Sequence, residues 1–134
     1  MSTLKLNSIL IVEPKKELAA PYSCLPQDAH TLHVTSTQRA TQYLQDKTPD
    51  LVILSASYSP PQIFHLLETL KEKSSSNMYL IPLILAIDLG HKNSFIPGTY
   101  WGEKLGIVNS LSTKKEVELV LKRVCQEQKS FGYN

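Results

Sequence analysis

The sequence predicts an α/β protein: a doubly wound, five-stranded parallel sheet with helices on both faces, in a single domain spanning residues 1–134. Short apolar runs make the first argument. Ile9-Leu10-Ile11-Val12, Leu51-Val52-Ile53-Leu54 and Leu80 to Ile87 are too short for helices and too uniformly apolar for one-sided sheets, which is how strands covered on both faces read. The segments between them carry apolar residues at helical spacing, which is the alternation of a parallel sheet with crossover helices. The third observation is the amphipathic segment after Thr113, whose start signal and periodicity agree.

In order, Ser8 to Val12 is the first strand, ended by Glu13-Pro14. Lys15 to Leu25 offers Leu18, Ala19, Tyr22 and Leu25 at helical spacing, but Pro21 removes a backbone donor, so a bent or shortened first helix is expected. Thr31 to Val34 is weakly strand-like, and Thr35 or Ser36 can cap a second helix through Ala40 and Leu44 to about Lys47. The strand Leu51 to Ser55 follows Pro49-Asp50. Ser59 with Pro60-Pro61 suits the start of a third helix, whose face is Ile63, Leu66, Leu67 and Leu70. Ser74 to Asn77 reads as a polar loop before a fourth strand, Leu80 to Ile87. From Asp88 to Gly106 the glycines and Pro97 leave room for at most a short or irregular fourth helix. Gly106 to Asn109 is a brief fifth strand. In the fifth helix Thr113 and Glu116 form a capping box, with Val117, Val120, Leu121, Val124 and Cys125 at core spacing. Five strands alternating with helices make the sheet flavodoxin-like, and ligands of such sheets lie beyond the carboxyl ends of the strands.

Composition excludes several classes. With 134 residues and 42% hydrophobic content, the chain can bury one ordinary core. A formal charge of +2 is far from the concentrated basic surface that phosphate-backbone binding needs, so nucleic acid is not an expected partner. No apolar run approaches ~18 residues and Met1 to Ser8 has no signal core, so no membrane association is expected. Cys24 and Cys125 sit at apolar-periodic positions without a C-x-x-C motif and read as buried free thiols, which points to a reducing, cytoplasmic setting.

The run Ile9 to Glu13, the run PDLVILS at 49–55, the fourth-strand run IPLIL and the terminal amphipathic helix occur in a definite order and spacing. Together they resemble a response-regulator receiver domain of two-component signalling over nearly the whole chain. The resemblance implies transfer of a phosphoryl group from a phosphohistidine to an aspartate at the end of the third strand. It also implies Mg²⁺ held by that aspartate and by acids after the first strand, with a hydroxyl and a lysine on the phosphoryl oxygens. This sequence departs from that pattern at each point. Ser55 stands at the acceptor position, and Pro14 replaces the second acid, leaving Glu13 alone. Ile87 stands where a threonine or serine is expected, and Asn109 followed by Ser110 replaces lysine-proline. The resemblance therefore implies a pseudo-receiver with a degenerate pocket of Glu13, Pro14, Ser55, Ile87 and Asn109, and no bound metal or cofactor is expected.

Each candidate has a plainer reading. Ser55 could accept phosphate from a serine kinase, but a small polar plug at a buried strand end fits better. Glu13 with Asp88 would make a poor Mg²⁺ site. His30 and His33 alternate across a strand, and His65 and His91 have no ligand spacing. Phosphate-binding glycine loops are missing.

Two functions remain. The first is a phosphorylation-independent protein-interaction module in signal transduction, binding another signalling protein or itself through the face of fourth helix, fifth strand and fifth helix. Phe95, Ile96, Tyr100 and Trp101 are candidate anchors there, unless they fold back over the sheet. The second is a small-ligand-binding protein or enzyme on the same scaffold, for which Glu13, Ser55, Asp88 and Asn109 supply no histidine base. The expectation is that the chain is not an enzyme.

Overall fold

Every side chain from Leu51 to Ser55 is buried, which is possible only for an interior strand covered on both sides. The computed structural model, which describes residues 6–14, 25–77, 80–87, 101–109 and 111–125, puts it there. Five parallel strands, β1 (Ser8–Val12), β2 (His30–Val34), β3 (Leu51–Ser55), β4 (Leu83–Ile87) and β5 (Leu105–Asn109), form one sheet in the order β2-β1-β3-β4-β5. Three helices are described: α1 (Thr37–Asp46), α2 (Pro60–Asn77) and α3 (Lys114–Cys125), with a single 3-10 turn at Gly102–Lys104 before β5. This is the flavodoxin-like doubly wound arrangement that the alternation predicts.

Strand alternation distributes the core. Leu10, Val12, Val52, Leu54, Leu83 and Leu85 face α1 and α2, meeting Ala40 and Leu44 of one and Ile63, Leu66, Leu67 and Leu70 of the other. Ile9, Ile11, Leu51, Ile53, Ile84 and Val108 face the opposite way, under Val117, Leu121 and Val124 of α3. At roughly 1.5–3 kcal/mol for each fully buried Leu or Ile, these two layers supply the main driving force for the fold. Where α3 crosses β5 the strand carries Gly106, and a Cβ there would run into Cγ1 of Val120 and Val124. A bare backbone is what lets the helix lie so close.

Local signals set the helix starts. Ser36 Oγ accepts the Arg39 N–H at 3.1 Å and caps α1. Thr113 and Glu116 close a reciprocal box at α3, at 2.8 and 3.1 Å. At α2 the first two helical residues are prolines without N–H groups, and Gln62 Oε1 reaches back to the N–H and hydroxyl of Ser59.

Two boundaries differ from expectation for a shared reason. Ser74 to Asn77 is not a loop, because α2 continues to Asn77. Ser74 is a buried helix residue whose Oγ accepts the Ile81 N–H at 3.2 Å. The Ile81 carbonyl in turn accepts the indole N–H of Trp101 at 2.9 Å. Both backbone groups of Ile81 are thus taken by side chains, and Pro82 has no N–H, so β4 begins at Leu83 rather than at Leu80. The expected first helix, Lys15 to Leu25, lies outside the described residues except for Leu25, and most of the expected irregular region, with its fourth helix, falls on 88–100, also outside them. So does Cys24, whereas Cys125 is a free, half-buried thiol.

Candidate functional site

The carboxyl ends of β1, β3, β4 and β5 bring together the positions that sequence reasoning singled out. β3 lies between β1 and β4; Val12 pairs with Leu54, Ser55 with Ala86, and Ile87 with Asn109. Glu13 therefore follows one step beyond the Val12–Leu54 pair, in the row of Ser55.

Ser55 is 3% exposed. Its Oγ lies 2.7 Å from Ser57 Oγ and accepts the Ser57 N–H at 3.2 Å, while the Ala56 N–H donates to the Ala86 carbonyl at 2.9 Å. The hydroxyl is engaged within its own loop, a geometry that fits the polar plug.

Glu13 is half-buried. Its N–H donates to the Val34 carbonyl at 3.1 Å, and its own carbonyl lies 3.2 Å from His33 Nε2. Tyr58, also near this rim, donates its hydroxyl to the Thr35 carbonyl at 2.7 Å. Burial first, and the Glu13 charge second, push that phenol well above its ordinary range, so it stays protonated and donating.

Pro14 is exposed, and Ile87 packs against the core under α1 and α2. Asn109 builds the turn into α3: its Oδ1 accepts the Leu111 N–H at 2.8 Å, and its N–H donates to Ser112 Oγ at 3.0 Å. That is an Asx-type turn, which asparagine forms through its own side chain. Lys104 precedes β5 and so belongs to the opposite end of the sheet, a strand length of roughly 16 Å away.

Among the described residues no group of three or more His, Cys, Asp or Glu could hold a metal ion. Asp88 and His91 lie outside them, and His30 and His65 are exposed.

The expected interaction surface needs correction at Trp101. The indole is 2% exposed and its N–H is used on Ile81, so it belongs to the core and not to a surface. Folding back wins because the indole is a large apolar group whose one donor finds a buried carbonyl. Phe95, Ile96 and Tyr100 lie outside the described residues. Sequence reasoning passed over Ser57 and Tyr58, which fall in the loop after β3 and carry no periodic signal. It also passed over large apolar residues that remain exposed among those described: Phe64 on α2, Ile107 on β5, Leu111 in the turn after it and Leu119 on α3.

No family model and no curated protein matches the chain. Solved structures do. A response regulator receiver protein from Sinorhizobium medicae aligns at TM-score 0.63 with 14% identity, covering 92% of this chain and 97% of that one. A protein described as a response regulator from Chloroflexus aurantiacus aligns at TM-score 0.66 with 15% identity, over 92% and 100% of the two chains. The N-terminal domain of a response regulator receiver protein from Methanoculleus marisnigri aligns at 0.53 with 17% identity, over 92% and 100%. At such identities the likeness is one of fold, and the fold is that of receiver domains.

Proposed function

We propose that this chain is a pseudo-receiver: a phosphorylation-independent protein-interaction module in signal transduction, without enzymatic activity. The observation that carries the reading is Ser55. At the strand end where receivers present an aspartate, this chain has a 3% exposed hydroxyl already bonded to Ser57. An alcohol lacks the carboxylate's charge both as a nucleophile and as a Mg²⁺ ligand. The surroundings agree with it, since Asn109 is spent on a turn and Ile87 on the core. Among the described residues no acidic cluster stands ready for a cation, and without a phosphoryl anion there is nothing for a strand-end lysine to hold.

The partner is another signalling protein or a second copy, met through the β5 and α3 side of the domain. Support comes from Ile107 and Leu119, 42% and 58% exposed, with Lys115 and Lys122 exposed on α3. No described helix is long and apolar enough to cross a membrane.

The test is a thermal melt with and without millimolar Mg²⁺ at matched ionic strength. A ligand that binds only the folded state raises the melting temperature by mass action. The expected result is no shift. A Mg²⁺-specific rise of several degrees that Glu13→Gln abolishes would replace this reading with a metal-dependent one.

A further inference from the structure

Tyr58 lies in the loop between β3 and α2, where side chains are ordinarily exposed, yet it is 8% exposed. Its hydroxyl bonds to the backbone of Thr35, 23 residues away in sequence, in the loop between β2 and the Ser36 cap of α1. One O–H group thereby joins two loops that cross the carboxyl end of the sheet. β1 runs between the strands that lead into those loops, and Glu13 at its end lies close enough for its charge to favour the protonated, donating phenol.

The other N–H groups of the β3–α2 loop are satisfied close by, although Ser57 and Ser59 themselves are exposed. The Ser57 N–H goes to Ser55 Oγ, the Ala56 N–H to the Ala86 carbonyl, and the Ser59 N–H to Gln62 Oε1. Opening this rim would strip a buried phenol and a backbone carbonyl of their partner together, which is costlier than parting two exposed groups.

We propose that Tyr58 is a latch that ties the β3–α2 loop to the β2–α1 loop and holds the rim above Ser55 in one closed arrangement. It acts as a positioning residue, fixing the shape that a partner meets at this end of the domain. Its signalling consequence rests on the pseudo-receiver reading, but the latch itself does not.

Amide hydrogen exchange on the intact chain tests it. Tyr58→Phe keeps the ring and removes only the O–H. Loss of one net hydrogen bond should speed exchange about fivefold at the Ser57 and Ser59 amides of one loop and at the Arg39 and Ala40 amides beside the other. Amides inside β1 and β3 should keep their wild-type rates. Unchanged loop rates would overturn the proposal, as would an equal acceleration across the whole sheet, which would mark Tyr58 as an ordinary core residue. Ser57→Ala is the second variant: it should loosen its own loop and leave Arg39 and Ala40 protected, and their acceleration would count against Tyr58 as the link. Phosphorylation of the wild-type chain would overturn the functional reading without touching these rates, so the two failures are distinguishable.

Discussion

Replacing Ser55 by aspartate restores the residue of an active receiver and should damage this protein. The position is 3% exposed, and the groups bonded to its side chain are the hydroxyl and N–H of Ser57. Glu13 stands in the same row of the neighbouring strand. A carboxyl introduced here by Ser55→Asp is desolvated and faces a like charge, and both effects raise its pKa above the usual ~3.9. If the rise is about one to two units, the ionised variant loses roughly 1.4–2.7 kcal/mol, at 1.36 kcal/mol per unit. The sign follows from linkage. Below the unfolded value the group is neutral in both states and costs only its bulk, whereas as pH rises through that value the unfolded chain releases the proton first and the penalty grows until the folded group ionises too. Urea denaturation of both proteins at about pH 4 and pH 7, followed by circular dichroism, measures the difference. The stability gap should be small in acid and reach its full size at neutrality, and Mg²⁺ should not close it. A gap independent of pH, or one that millimolar Mg²⁺ abolishes, would refute the claim that this pocket lacks the means to hold a carboxylate and a metal.

Trp101→Ala should cost about 3–5 kcal/mol in denaturant unfolding, the range for an excised buried aromatic, and more than any single replacement among Ile107, Leu111 and Leu119. A loss under ~1 kcal/mol would return Trp101 to the surface. Burial pushes the Cys125 thiol up to about 11 from an ordinary 9.0, with Lys104 opposing and Asp50 reinforcing the rise. A raised acid contributes stability that is intact below the unfolded value and declines as pH climbs from about 9 towards 11. Cys125→Ala should flatten that part of the alkaline stability profile, and the native thiol should alkylate slowly at neutral pH compared with the unfolded chain.

What the sequence made legible were elements whose signal is local. β1 and β3 are apolar runs buried on both faces, and α3 carries its own capping box, so burial pattern and cap chemistry agreed with the fold without help from distant residues. The misreadings share the opposite property. Ser74 looks like loop composition, but its hydroxyl serves Ile81 across the turn after α2, and a serine used that way stays in the helix. Trp101 sits among glycines that suggest an exposed segment, but its ring packs in the core beside α1 and α2 and its N–H bonds to the Ile81 carbonyl, 20 residues away. In the candidate site, Ser55 and Asn109 were legible because strand ends locate them. Tyr58 was not, because its partner is a backbone carbonyl on another loop, and no spacing along the chain encodes that pairing.

Whether this chain works without phosphoryl transfer is decided by intact-mass spectrometry of the wild-type protein after incubation with Mg²⁺ and a small-molecule phosphodonor. The mass should stay unchanged. A stoichiometric gain of one phosphoryl group would contradict it.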